Sequence, residues 1–265
     1  MIAIILAELK RRRWSTMWWT IAIVALIVLT LAFYPSIRDQ SAELNKSLGN
    51  LSPEVVGFFS DTGDFFSPVG YLSSQIFYML FPLLLSFLAV ALGSSLIARE
   101  EQSGTLELLL ARPLSRTQIL LAKALSGLMI LAGVAAAGIL VCLVLARLVN
   151  IDISLAGVAI TGLTAFLFAA LLGGIAFALT AMGRAARGAS IGVAALVGFA
   201  SYIATSFEAN LPWMKHVSRL LPFHYYHPAI MLTGNLNWHT ALGYLVVVLI
   251  LGLVAIVGFR RRDIG

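Results

Sequence analysis

The chain has 265 residues, 60% of them hydrophobic and 11% charged, with a mean hydropathy of +0.95. A soluble domain is about half apolar and about a quarter charged, so this chain has too few charges to coat a water-soluble surface, and the same composition excludes a disordered chain. The net charge of +6 from 18 Lys and Arg against 12 Asp and Glu would suggest nucleic acid in a soluble protein, but in a membrane protein it signals charge sorting across a bilayer.

In chain order, Ile2, Ile5, Leu6 and Leu9 recur at helical spacing and predict a short amphipathic helix in the membrane interface, ending in the basic run Lys10–Arg13. A bilayer core needs about 20 apolar residues to cross. The first such stretch is 17–34; lacking a small-residue cleavage site and followed by further spans, it reads as an uncleaved signal anchor. Residues 35–70 form an acidic loop containing Asp39, Glu43, Glu54, Asp61 and Asp64, with the aromatic pairs Phe58-Phe59 and Phe65-Phe66. The expectation there is a solvated loop with an interfacial aromatic belt. The Asn-x-Ser sequons at Asn45 and Asn50 are too common by chance to imply glycosylation.

The second span is 71–98, and after it comes the most structured polar segment, Arg99–Lys123. Gly104 is placed to cap a short helix, with Glu107 at its positive end and Leu106, Leu109 and Leu110 forming one apolar stripe that Pro113 ends. Ser115 and Gln118 have the spacing of a capping box that opens the third span, 124–145. An amphipathic helix of this kind either rests on the bilayer or docks in a groove of another protein, and spacing leaves both open. The fourth span is 155–182 and the fifth, 189–206, is short and rich in Gly and Ala, as suits the inside of a bundle. Gly188 and Gly192 make a Gly-x-x-x-Gly step that serves intrachain packing or a dimer seam equally well. Residues 207–239 hold Leu211-Pro212-Trp213, Leu221-Pro222-Phe223 and His224–Leu232, a composition suited to segments dipping into the interface. His224 and His227 read as belt packing, because no Cys or carboxylate accompanies them at metal-ligand spacing. The single Cys142 likewise rules out a disulfide framework or a Cys-rich metal site. The sixth span is 240–259, so residues 1–265 form one transmembrane domain.

Six spans put both termini on one side. With that side cytoplasmic, its segments carry thirteen Lys or Arg and the outer loops five, which satisfies the positive-inside rule. No basic cluster sits on a soluble element, so nucleic acid is not a partner. All Asp, Glu, Lys and Arg fall outside the six stretches. Ion-coupled transporters keep a charged relay in their spans, so energy for transport must come from elsewhere.

The run Glu100-Glu101-x-x-Gly104-Thr105-Leu106-Glu107-Leu108-Leu109, followed by Arg112-Pro113-Leu114-Ser115-Arg116 and Lys123, resembles the permease subunits of ABC-2 type transporters. Ser67-Pro68-x-Gly70-Tyr71-Leu72 and the closing Arg261-Arg262-Asp263-Ile264 are also similar. The resemblance implies an all-α membrane protein with an N-terminal amphipathic helix, a coupling helix between spans two and three, and short re-entrant or outer helices between spans five and six. It further implies a prokaryotic cytoplasmic (inner) membrane, a second permease chain, and a cytoplasmic ABC ATPase that binds ATP and Mg. The chain has no Gly-x-x-x-x-Gly-Lys-[Ser/Thr] loop of its own and is expected to hold no ATPase site or cofactor. On this resemblance Glu100, Glu101, Gly104, Thr105, Leu106, Glu107, Leu109, Leu110 and Arg116 carry docking and coupling.

Rival readings are weaker. Glu100-Glu101 has Gly104 where the Glu-Glu-x-x-x-Arg run of CAAX-type proteases needs Arg, and no span carries His or Asp. A secondary transporter lacks its relay. A membrane anchor or sensor subunit of an ATPase complex is the alternative that keeps the same partner. Uncharged spans suit apolar or amphiphilic cargo.

Overall fold

The computed structural model describes residues 1–41, 43, 53–62, 65–105, 114–151, 153–183, 186–208, 211–235 and 238–262. Among the described residues there is no strand, and six helical segments are long and apolar enough to cross a membrane: Ile2–Asp39, Pro68–Ser95, Arg116–Leu148, Leu155–Ala181, Arg187–Ser206 and Trp238–Arg260. They match the six expected apolar stretches one to one, and the chain is an all-α integral membrane protein. In chain order the helices are α1 (Ile2–Asp39), α2 (Pro53–Phe59), α3 (Pro68–Leu72), α4 (Leu80–Ser95), α5 (Ala98–Gln102), α6 (Arg116–Leu148), α7 (Leu155–Ala181), α8 (Arg187–Ser206), α9 (Met214–Ser218), α10 (Pro228–Leu232) and α11 (Trp238–Arg260). A 3-10 turn, Pro222–Tyr225, lies between α9 and α10. Short helices between the fifth and sixth spans are what the resemblance implied.

The N-terminal amphipathic segment is not a separate element. It is the first turns of α1, which runs unbroken through the basic cluster. No Gly stands in its way, its one Pro is Pro35 near the far end, and Lys and Arg are good helix formers. The second span, by contrast, is composite. Ser67 caps α3 by accepting from the Gly70 amide at 3.0 Å, and a π-helical turn, Ser73–Phe77, joins it to the rest. The turn is closed by the Tyr78 amide donating to the Ser73 carbonyl at 2.7 Å. The Ser115–Gln118 capping box forms as expected: Ser115 Oγ accepts from the Gln118 amide at 3.2 Å, and Gln118 Oε1 from the Ser115 amide at 3.0 Å. That cap starts α6 eight residues before its apolar stretch.

Helix α7 is the hub, buried along most of its length and packed against α4, α6, α8 and α11. Lipid is as apolar as Leu, so close contact rather than escape from water holds such helices together. Gly173 shows how. A Cβ there would lie 2.7 Å from the Ala89 carbonyl oxygen, and one on Gly93 would run into Gly173's own carbonyl. The two backbones therefore touch where α4 crosses α7. On the other side α1 presents Ile23, Ile27, Leu31 and Tyr34, a fully buried stripe at helical spacing. Gly138 of α6 admits it: a Cβ would lie 2.7 Å from Phe81 and 3.1 Å from Ile23. Helix α8 is only partly embraced; Leu196 and Phe199 are 70% and 69% exposed. Gly188 and Gly192 meet nothing within 4 Å, so their step packs no helix among the described residues.

Candidate functional site

At the basic end of the bundle, three helices are tied by charge. Lys123, near the start of α6, donates to Glu8 Oε2 at 2.8 Å and to Glu100 Oε1 at 2.7 Å. Glu8 belongs to α1 and Glu100 to α5, and the three side chains are almost fully buried. Arg11 bridges the two carboxylates from the rim, at 2.8 Å to each, and Arg12 Nε adds a 2.5 Å bond to Glu8. Thr105 Oγ1 donates to the remaining Glu100 oxygen at 2.5 Å. Burial alone would raise the Glu100 pKa, but hydrogen bonds from Lys123, Thr105 and Arg11, with the charge of Lys123, outweigh it and hold the carboxyl at about 2. Removing charge from water is costly, and this cluster offsets most of the cost by mutual pairing, with two carboxylates facing three cations and Arg12 Nη2 alone among them buried with no partner among the described residues.

A second tie lies beside it. Arg262, just beyond α11, pairs with Glu101, while its carbonyl accepts from Arg116 Nη1 at 2.7 Å. Its guanidinium lies against Gly183, which ends the α7 region with a φ of +66° and has no side chain to push it away.

The expected coupling residues thus divide. Glu100 and Thr105 face the buried cluster, Glu101 and Arg116 face Arg262, and Leu106, Glu107, Leu109 and Leu110 lie outside the described residues. Gly104 was read as a helix cap. It does stand just before the helical Thr105, but its φ of +68° and its amide bond to the Glu101 carbonyl make it the left-handed turn that ends α5. Sequence reasoning missed Glu8, the one acid among the first 37 residues, although Arg11 and Arg12 stand three and four places on, the helical spacing of an ion pair.

The opposite end is aromatic, and its tyrosine hydroxyls donate to the backbone. Tyr78 donates to the Gly57 carbonyl at 2.8 Å and Tyr202 to the Phe58 carbonyl, so α2 is held across the tops of the second and fifth spans. Gly57 fits because a Cβ would sit 2.7 Å from the Ser206 carbonyl oxygen. Tyr226 satisfies the Phe77 carbonyl at the end of the π turn, at 2.8 Å, and Tyr244 bonds the Pro222 carbonyl at 2.7 Å. The solvated acidic loop of the sequence reading is corrected at Asp61. It is half-buried and accepts from Ser73 Oγ at 2.5 Å and from the Ala229 amide at 2.8 Å, joining the π turn to α10. Burial raises the Asp61 pKa, and those two hydrogen bonds only partly oppose the shift. Phe58 and Phe65 pack inward rather than forming a belt. His224 has a carboxylate after all: Glu208 Oε2 lies 2.8 Å from its Nδ1. Sixteen residues separate the two, too many for spacing to reveal.

Between these ends, α4 and α8 enclose a cavity of about 620 Å³. Tyr78, Tyr202, Phe58 and Phe223 close its aromatic end, apolar side chains form its walls, and Arg187 stands at its basic end.

No curated protein matches the chain. A protein-family model described as ABC-2 family transporter protein matches residues 2–264, nearly the entire sequence, and the chain belongs to the ABC-2 transporter family.

Proposed function

We propose that the chain is the membrane-spanning permease subunit of an ATP-driven exporter, with its basic end and both termini in the cytoplasm of a prokaryote. Family membership implies an ABC ATPase partner, and that partner supplies the site for ATP and Mg. Two permease chains and two ATPases make up the working transporter. The ATPase docks on segment 99–116, and closure of the ATPase pair moves that segment as a rigid body. Leu106, Leu109 and Leu110 provide the docking stripe, and Glu107 adds a charge to the same contact. Glu101 and Arg116 brace its flanks, and Gly104 sets the turn.

The observation that carries this reading is the buried cluster. Glu100 and Thr105 are tied through Lys123 to Glu8, so a push on the segment reaches the ends of α1 and α6 through short charge-assisted bonds. A passive anchor needs no such stiff joint. In vesicles containing the chain and its ATPase, cargo should stimulate ATP hydrolysis several-fold and accumulate on the far side. Hydrolysis indifferent to every cargo tried, with no movement of any, would leave an anchoring subunit.

A further inference from the structure

The π turn of the second span is closed at Ser73, whose carbonyl accepts from the Tyr78 amide at 2.7 Å. A π turn holds one residue more than an α turn, and such turns recur at functional sites. Asp61 grips the residue that closes this one. One of its carboxylate oxygens accepts from Ser73 Oγ at 2.5 Å, and the other accepts from the Ala229 amide of α10 at 2.8 Å. Helix α10 is in turn seated on α7, where a Cβ on Gly157 would lie 2.6 Å from the Leu232 carbonyl oxygen. A single side chain thus joins the second span, through α10, to the hub of the bundle.

The surroundings of Asp61 are unlike those of Glu100. From the second span Tyr78 faces it, and from the turn before α10 Tyr226 and His227 do. Glu208 also acts on Tyr78, and is itself held by Ser218 Oγ at 2.5 Å and His224 Nδ1 at 2.8 Å. Asp64 lies outside the described residues. Among the described residues no Lys or Arg forms an ion pair with Asp61. Its two bonds need no charge. A protonated carboxyl keeps both, with its carbonyl oxygen accepting from the Ala229 amide and its hydroxyl donating to Ser73 Oγ. Burial raises the Asp61 pKa above the ordinary 3.8, so the proton is held with the bridge made and released when the carboxylate reaches water.

We propose that Asp61 is a proton-operated latch at the end of the bundle opposite the basic cluster: one proton taken from the water there fastens the π turn to α10, and its loss lets the two separate. Under the permease reading this end faces outward, and acid outside slows the transport cycle. That consequence rests on the permease reading; the latch does not.

The latch is read on the chain alone in phosphatidylcholine nanodiscs, with Cys142→Ala and spin labels at the exposed positions Gln75 and Thr233. From pH 7 to about pH 4 the distribution of label distances should narrow to one population, with a midpoint above 3.8. Asp61→Asn keeps both bonds without a charge and should give the narrow population at either pH. Asp61→Ala removes both bonds and should give the broad one throughout, with thermal unfolding confirming the fold; the Asn variant decides alone where Ala does not fold. His227→Gln should leave the response in place, at an unchanged or higher midpoint. No narrowing in the unaltered chain, narrowing that survives Asp61→Asn, or its disappearance in His227→Gln overturns the latch. In vesicles with the ATPase, acid at the outer face alone should slow cargo movement about fivefold or more. Asp61→Asn should be slow at both pH values and Asp61→Ala fast at both. Cargo movement indifferent to outer pH overturns the effect on transport. No cargo movement at any pH counts against the permease reading instead, and the labels still decide the latch.

Discussion

The two ends of this bundle are held by different forces. At the basic end, buried charges bridge α1, α5 and α6 through bonds of 2.5–2.8 Å. At the aromatic end, neutral tyrosine hydroxyls reach single backbone carbonyls, and α2 rests on two of them. Each neutral bond contributes about 0.5–1.5 kcal/mol, whereas breaking a buried ion pair by removing one partner costs about 3–5 kcal/mol. A stiff end suits the place where force enters. A lightly latched end suits the place where a path opens, and Tyr78 and Tyr202 also line the α4–α8 cavity.

The contrast breaks most visibly at Lys123. Lys123→Met removes the buried cation between Glu8 and Glu100 and leaves them only Arg11 to share, at the rim, and stability should fall by about 3–5 kcal/mol, read as a large drop in melting temperature in detergent. The double variant Glu100→Gln, Lys123→Met should recover part of the loss, because the remaining carboxylate, Glu8, keeps Arg11 and Arg12. At the other end Tyr78→Phe with Tyr202→Phe removes two neutral bonds and should cost about 1–3 kcal/mol in total, confined to that end. Hydrogen exchange should accelerate at the α2 amides and stay unchanged around Glu100. Faster exchange at both ends would mean that the two are one cooperative unit.

Acid should act on the two ends with opposite sign. Glu100 titrates at about 2 in the folded chain against an ordinary 4.5, so its contribution is complete above about 4.5 and is lost as pH falls toward 2. Asp61 has a raised pKa against an ordinary 3.8, so its protonated form is favoured by folding. Stability at that end therefore rises as pH falls through the raised value and levels off below 3.8. Hydrogen exchange followed from pH 7 downward should show α10 tightening before the segment around Glu100 loosens. Asp61→Asn should remove the first change and leave the second.

Much of the fold is legible in the residues, because hydropathy reports directly on what a bilayer accepts and the Ser115–Gln118 box is a local bond. The buried cluster is not local. Lys123 lies 115 residues from Glu8 and 23 from Glu100, and each looks like an ordinary flanking charge until the helices pack. The tyrosine latches escape for another reason: their acceptors are carbonyls, which every residue has. The π turn rests on how Tyr226 and Asp61 satisfy the groups around it, a tertiary fact. Arg187 was legible only as one more positive-inside charge, since the cavity beside it is made by α4.

The central claim is that segment 99–116 conveys the work of a partner ATPase to the spans, and Gly104 tests it most directly. Among the described residues, no atom outside its immediate chain neighbours lies within 4 Å of where a Cβ would sit, so Gly104→Leu meets no clash there; its φ of +68° should cost only about 1–2 kcal/mol, felt as a shifted turn. In vesicles holding the chain and its ATPase, the variant should still bind the ATPase and permit ATP hydrolysis, while cargo movement per ATP falls at least tenfold. Transport and ATPase binding both unchanged in Gly104→Leu would contradict the claim.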